Sequence, residues 1–367
     1  MSTVAKKLQT AFTASGDGLG ETFDSGLLMG ENEATTLNLA NPTSITQVSA
    51  INNESGFDNP SFNAAGFDKT NLIGICSNAV SSKIVFADAS NPSSFSVNGS
   101  YLDTTYISNP RAEITVDSAN EVCFVTTSGA ASARGGVRVI QAIDYSTISS
   151  PTLGAYFDLG TASTSYRYGN ALDETNQVLY STTGNRLYSY DVSDLAGSGI
   201  VQLDHYYNTT IGGMRGMFVD VANEVLYGCN YTANKFVSVD ISDPANLVLL
   251  DSVTDNTNLD NAYTVELDTY RNLAFVYCVG GAINCIDISD PSNMVLKSTL
   301  TGYSGSGIEQ TIAIDTFKKL VYLKARFNSS NRIHVVSYTP AGSMTAEGST
   351  ALGNSNDGGI LNIYNKV

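Results

Sequence analysis

One short signature recurs along this chain and restricts its fold more than any other feature. It is an apolar triplet ending in Asp, a polar turn, then a second apolar run: ITVDSANEVCFV, NALDETNQVLYS, MFVDVANEVLYG, VELDTYRNLAFV and IAIDTFKKLVYL. Its Asp falls at Asp68, Asp117, Asp173, Asp220, Asp268 and Asp315, at intervals of 49, 56, 47, 48 and 47 residues. The long interval contains SGAASARGG (128–136), a loop insertion of small residues. A second signature follows the first, clearest in VSVDISDPANLVLLDSV (237–253) and INCIDISDPSNMVLKST (283–299), with weaker copies at 187–204, 84–100 and 36–50. It is an apolar strand, Asp or Asn, a Pro-containing turn, and another strand. Each unit therefore holds four short strands, A to D: A ends at the first Asp, B follows the tight turn, C carries the second Asp, and D follows the Pro turn. Evenly spaced short strands broken by Gly, Asn and Pro are an all-β pattern, and a period of this length marks a repeat architecture.

The chain ends complete the count. Residues 27–50 supply strands B, C and D without an A, whereas GGILNIYNKV (358–367) matches GMFVDVANEV (216–225), with Asn362 at the place of Asp220. Together they make a seventh unit, which removes the free edges that a ring would otherwise expose. The expectation is a seven-bladed β-propeller with four-stranded blades over residues 27–367, closed by a composite blade from both termini and preceded by an N-terminal arm, 1–26. In the arm, VAKKLQTAF (4–12) places Val4, Leu8, Ala11 and Phe12 on one helical face, too short to be stable alone.

The Asp-Ile-Ser-Asp-Pro runs followed by an apolar strand resemble the LVIVD-repeat proteins. That resemblance covers about residues 27–367, is best over 187–300, and implies a β-propeller. Two units depart from it, at AIDYSTISSP and at VVSYTP. The family shares no catalytic residues, so the resemblance implies a fold and no site.

Composition narrows the partners. Among 367 residues, 35 are acidic and 19 basic, for a net charge of -16, which opposes nucleic-acid binding. No stretch approaches the roughly 20 apolar residues of a membrane span. There is no apolar leader core, which points to synthesis in a cytoplasm. The five cysteines are scattered and mostly inside apolar runs, as small buried thiols are. The recurring Asp/Asn pairs suit turn capping better than calcium, which needs six to eight oxygens at one place, so no metal and no cofactor are expected. The two histidines, His205 and His334, sit in no catalytic spacing.

One cluster offers binding chemistry. Arg111 and Arg167 lie six residues before their strand-A Asp, Arg215 lies five before, and Glu309 lies six before Asp315. They are expected on one rim beside Tyr166, Tyr168, Tyr206 and Tyr263, where forked donors and flat apolar faces suit an anionic or sugar-like ligand or a protein. The alternative is that each Arg pins neighbouring blades. Richness in Asn, Ser, Thr, Gly and Tyr resembles bacteriophage virion proteins. The expectation is thus a non-enzymatic structural or interaction protein, a tail- or capsid-associated virion component whose arm and rim loops meet other virion proteins or a cell-surface glycan. The alternatives are a bacterial surface or secreted binding propeller, and a propeller-type hydrolase.

Overall fold

The computed structural model describes residues 25–29, 33–41, 45–52, 65–78, 82–91, 93, 96–103, 105–107, 110, 114–127, 138–160, 169–303, 311–327, 330–351 and 360–364. The arm up to residue 24 and the 128–136 insertion lie outside them. Six four-stranded blades are built from consecutive strands. Blade I is β4 (Ala65–Asp68), β5 (Ile73–Asn78), β6 (Lys83–Asp88) and β7 (Ser96–Leu102). Blade II is β8 (Thr115–Asp117), β9 (Val122–Thr126), β10 (Arg138–Asp144) and β11 (Thr152–Gly160). Blade III is β12 (Asn170–Asp173), β13 (Val178–Thr183), β14 (Arg186–Asp191) and β15 (Val201–Tyr207). Blade IV is β16 (Met214–Asp220), β17 (Val225–Asn230), β18 (Lys235–Asp240) and β19 (Val248–Thr254). Blade V is β20 (Ala262–Asp268), β21 (Leu273–Cys278), β22 (Ala282–Asp287) and β23 (Val295–Thr301). Blade VI is β24 (Thr311–Asp315), β25 (Leu320–Phe327), β26 (Ser330–Tyr338) and β27 (Met344–Ala351). A further sheet draws on both ends of the chain: β28 (Ile360–Tyr364) pairs with β1 (Ser25–Met29), which continues to β2 (Glu33–Asn38) and β3 (Thr46–Asn52). The described residues hold no helix long and apolar enough to cross a membrane.

The composite sheet corrects one detail of the sequence reading. Ser25 lies opposite both Asn38 and Tyr364, just as Val225 lies opposite both Asp240 and Asp220. Tyr364 therefore occupies the register of Asp220, two residues on from Asn362. Side chains alternate with period two along a strand, so this shift leaves every residue on the same face and is invisible to pattern matching.

Each A–B turn is one repeated piece of turn chemistry. The six strand-A Asp residues are all buried. In blade III, Asp173 accepts the Thr175 and Asn176 backbone N–H groups at 3.0 and 2.9 Å, and the Asn176 side-chain amide at 2.7 Å. Asp68, Asp117 and Asp220 do the same with Asn71, Asn120 and Asn223. The turn ends on a residue with φ near +55°: Leu72, Glu121, Gln177, Glu224, Asn272 and Lys319. Its carbonyl accepts a hydrogen bond from the residue after strand C in five blades, for example Val192 N–H to Gln177 at 3.0 Å and Ile241 N–H to Glu224 at 2.9 Å, and from Tyr338, the last residue of β26, in blade VI. Short polar side chains satisfy the amides that so tight a reversal leaves open, which is why Asp and Asn recur there.

The second Asp serves the C–D turn. Asp88, Asp144, Asp191, Asp240 and Asp287 each accept the N–H of the Ser two residues on, at 2.8 to 3.0 Å. Hydrogen bonds from Ser193 and Ser289 hold the Asp191 and Asp287 carboxyls below the usual carboxylate range. The core lies between blades, in apolar clusters such as Val225, Tyr227 and Phe236 of blade IV against Val265, Leu267 and Ala274 of blade V. Latches add direction to this packing. Ser189 donates to the Pro244 carbonyl at 2.5 Å while Asp204 accepts the Leu247 N–H at 3.0 Å. Ser238 and Asp251 repeat the pair one blade later on Pro291 and Met294. All five cysteines are buried and free, and burial pushes the thiols of Cys76, Cys278 and Cys285 up to about 12, leaving them inert.

Candidate functional site

Inner strands β4, β8, β12, β16, β20, β24 and β28 read AGFD, TVD, NALD, MRGMFVD, AYTVELD, TIAID and ILNIY. The terminal Asp residues are committed to their turns. That leaves two charged residues on these strands, Arg215 and Glu266, on adjacent blades.

Arg215 is positioned by glycine. A β-carbon on Gly216 would stand 2.5 Å from the Thr264 Cα and 2.7 Å from the Tyr263 carbonyl oxygen, so only glycine lets β16 lie this close to β20. That approach brings Arg215 to Tyr263. The guanidinium carbon lies 3.3 Å from the centre of the Tyr231 ring and 5.4 Å from that of Tyr263, and the two rings meet edge to face at 6.2 Å. The half-buried cation thus rests flat on one aromatic face, an arrangement that orients its forked donors and lessens its cost of desolvation.

Glu266 lies three residues along β20 from Tyr263, roughly 10 Å at strand spacing. Protein surrounds its carboxyl, yet the residue keeps partial contact with solvent, as a side chain on a channel wall does. Desolvation pushes the carboxyl up to about 7, and the Lys69 ammonium, on the A–B turn of blade I, opposes that shift. Glu174, on the A–B turn of blade III, is also raised, by desolvation first, then by the nearby Asp117 and Asp68 carboxylates, against a backbone hydrogen bond at Ser118. A carboxyl that exchanges its proton near neutrality inside a channel is suited to general acid–base chemistry.

Of the rim residues expected from the sequence, the structure brings Arg215 and Tyr263 together and adds Tyr231, from the B–C turn. Tyr206 is elsewhere: it sits on the outer strand β15, packs against the blade III–IV core and accepts the Asn208 amide at 3.1 Å. Arg111, Tyr166, Arg167, Tyr168 and Glu309 lie outside the described residues. The histidines are both remote from the inner strands. His334 is buried on β26, edge-on to Tyr303 at 5.0 Å, with its pKa lowered to about 4 by burial and by Arg332. His205 is on the outer strand β15.

Four-stranded blades around inner strands of this kind define a β-propeller. The LVIVD repeat pattern matches residues 230–255 and 269–301, within blades IV and V of this propeller. No curated protein matches the sequence. Among solved structures, a protein of unknown function from Desulfotomaculum acetoxidans superposes with a TM-score of 0.72 at 9% identity, over 94% of this chain and 100% of that one. The periplasmic gluconolactonase of Pseudomonas aeruginosa gives 0.71 at 11% identity, over 94% and 99%. A proposed 6-phosphogluconolactonase from Bacteroides fragilis gives 0.69 at 10% identity, over 93% and 98%. At these identities the likeness is one of fold. It still corrects the expectation of a protein without enzymatic activity, because propellers matched over nearly their whole length include named lactonases. The reason is physical: a fold does not fix function, so the lack of a recognisable local motif gives no ground for excluding catalysis. A virion role rests on composition alone, and neither the repeat nor these relatives bear on it.

Proposed function

We propose that this protein is a seven-bladed propeller whose channel binds and hydrolyses a small, oxygen-rich cyclic ester of the sugar-lactone class. Closure by the composite sheet is supported by one apolar cluster that joins its Leu37, Leu39 and Ile45 to Phe67 and Val85 of blade I and to Tyr322 and Val335 of blade VI. The reading is carried by Glu266, the one inner-strand carboxyl free of a turn and poised near neutrality. As a general base it takes a proton from water; the resulting hydroxide adds to the lactone carbonyl, the ring C–O bond breaks, and the departing alkoxide recovers the proton. Arg215, stacked on Tyr231, orients the ligand through its hydroxyl or anionic groups.

Acid release from glucono-δ-lactone and its 6-phosphate, followed by pH-stat against the spontaneous rate, tests this. Glu266→Gln is expected to lower kcat by about a hundredfold or more, the usual worth of a positioned base, with a rate that rises through pH 7 in the native protein and not in the variant. Arg215→Ala is expected to act mainly on KM. A native protein no faster than buffer across a lactone panel would refute the reading.

A further inference from the structure

Outer strand β7 holds the single Asn-Gly pair of the sequence, Asn98–Gly99. Asn98 is the extra residue of a β-bulge. Val97 lies opposite Ala87 and Gly99 opposite Phe86, which leaves Asn98 outside the cross-strand register and exposed to water. Gly99 is fixed by packing: a β-carbon there would overlap the Ile148 carbonyl oxygen, so only glycine lets β7 lie against the C–D turn of blade II. Its backbone N–H also lacks an acceptor that other blades supply. The matching N–H groups of Asp204 and Asp251 donate to the Ser189 and Ser238 hydroxyls at 3.1 Å, whereas blade I has Phe86 in that place.

The side chain at the bulge has a task that other blades repeat: it reaches back to the second-Asp position of strand C. In blade V, Lys297 pairs with Asp287 at 3.2 Å. In blade VI, where Ser337 takes the place of that Asp, the bulge residue is Glu347, which accepts the Ser337 hydroxyl. In blade I the Asn98 amide donates to Asp88 at 3.4 Å, and its Oδ1 accepts the Ser96 hydroxyl at 2.8 Å. Asp88 in turn accepts the Ser90 N–H that shapes the C–D turn, at 2.8 Å. Opposite a carboxylate, then, the bulge carries a donor, and the acid at a bulge faces a hydroxyl.

We propose that Asn98 is a site of spontaneous deamidation, a modification that needs only water and sets a second carboxylate against Asp88. The Gly99 nitrogen attacks the side-chain carbonyl carbon of Asn98, and its proton passes to the side-chain amide, which departs as ammonia and leaves a succinimide. Water then adds to either ring carbonyl and opens the ring, so the net change is water in and ammonia out, with no oxidation. One opening gives aspartate; the other gives isoaspartate, whose main chain runs through the side-chain carbon. Glycine favours the attack, because no β-carbon shields its nitrogen and its backbone is free to turn. Aspartate there meets Asp88 as a like charge, and isoaspartate lengthens the main chain where Gly99 lies against blade II. The site is on an outer strand and does not depend on hydrolysis in the channel.

Incubation of the folded protein, followed by peptic digestion and mass spectrometry, tests this. The amide-to-acid mass gain is expected at Asn98, severalfold faster at pH 8 than at pH 6 because the attacking nitrogen must lose its proton, with isoaspartate among the products. Asn98→Asp is expected to lower Tm by roughly 1–2 °C relative to Asn98→Gln at low salt, and by less at high salt. No gain at Asn98 in the folded protein, while the same peptide freed by digestion converts, would overturn the proposal. So would aspartate without isoaspartate, or equal Tm values for the two variants.

Discussion

Two tyrosines show how single residues hold neighbouring blades together. Tyr145 of blade II donates its hydroxyl to the buried carboxylate of Asp68 in blade I at 2.9 Å, and Tyr338 of blade VI does the same to Asp268 in blade V at 2.7 Å. These are the two units whose C–D turns depart from the Asp-Ile-Ser-Asp pattern. Both phenols are pushed upward by burial and by the carboxylates they serve, and so stay protonated donors. Removing a hydrogen bond to a buried charge costs about 2 kcal/mol. Tyr145→Phe and Tyr338→Phe are each expected to lower stability by about that amount in urea melts, and the double variant by about the sum, because the sites share no partners. In blade V the turn Asn is replaced by Arg271, which pairs with Asp268 at 2.7 Å and also donates to the Thr316 carbonyl at 2.9 Å.

Among whole elements, the C-terminal strand carries the largest consequence. β28 supplies the inner strand of the composite sheet and pairs with all of β1. The fifth residue of strand B in other blades reaches the start of the next: Ser77 to the Pro110 carbonyl at 3.1 Å, Thr182 to that of Met214 at 2.9 Å, and Tyr277 to that of Tyr303 at 2.6 Å. In blade VI that place is taken by Lys324, fully buried. Deleting residues 358–367 would expose the edge of β1 and leave that face of blade VI uncovered, a template for association. The truncated protein is expected to lose its single sharp thermal transition and to elute as aggregates in size exclusion; a monomer melting like the full chain would count against ring closure.

At the scale of the molecule, two buried titrations oppose each other. His334 has its pKa lowered to about 4 from an ordinary 6.5, so the unfolded chain binds the proton first and stability is lost as pH falls from 6.5 toward 4. Glu266 is raised to about 7 from 4.5, so the folded protein holds a proton that the unfolded chain releases, and stability falls as pH rises between those values. Glu266→Gln is therefore expected to raise Tm at pH 8 relative to pH 5, and His334→Phe to flatten the acid limb. Calorimetry across pH 4 to 8 would show whether either slope has the opposite sign.

How much of this was legible beforehand follows from how far each interaction reaches along the chain. The period, the strand order within a blade and the Asp/Asn turns are decided within about five residues, by turn chemistry and alternation, and the sequence by itself determined them. Glu266 was readable as the one carboxylate on a described strand A besides its terminal Asp, yet nothing local marks VELD as different from NALD; its raised pKa comes from burial in the folded protein. Tyr231 meets Arg215 from a turn 16 residues on, and Tyr145 and Tyr338 reach carboxylates 77 and 70 residues away. The side of the sheet on which Tyr206 lies, and whether Asn362 or Tyr364 takes the register of Asp220, were likewise left to tertiary structure. Only packing between blades could settle them, because protonation, stacking and register depend on surfaces that the chain brings together from distant repeats.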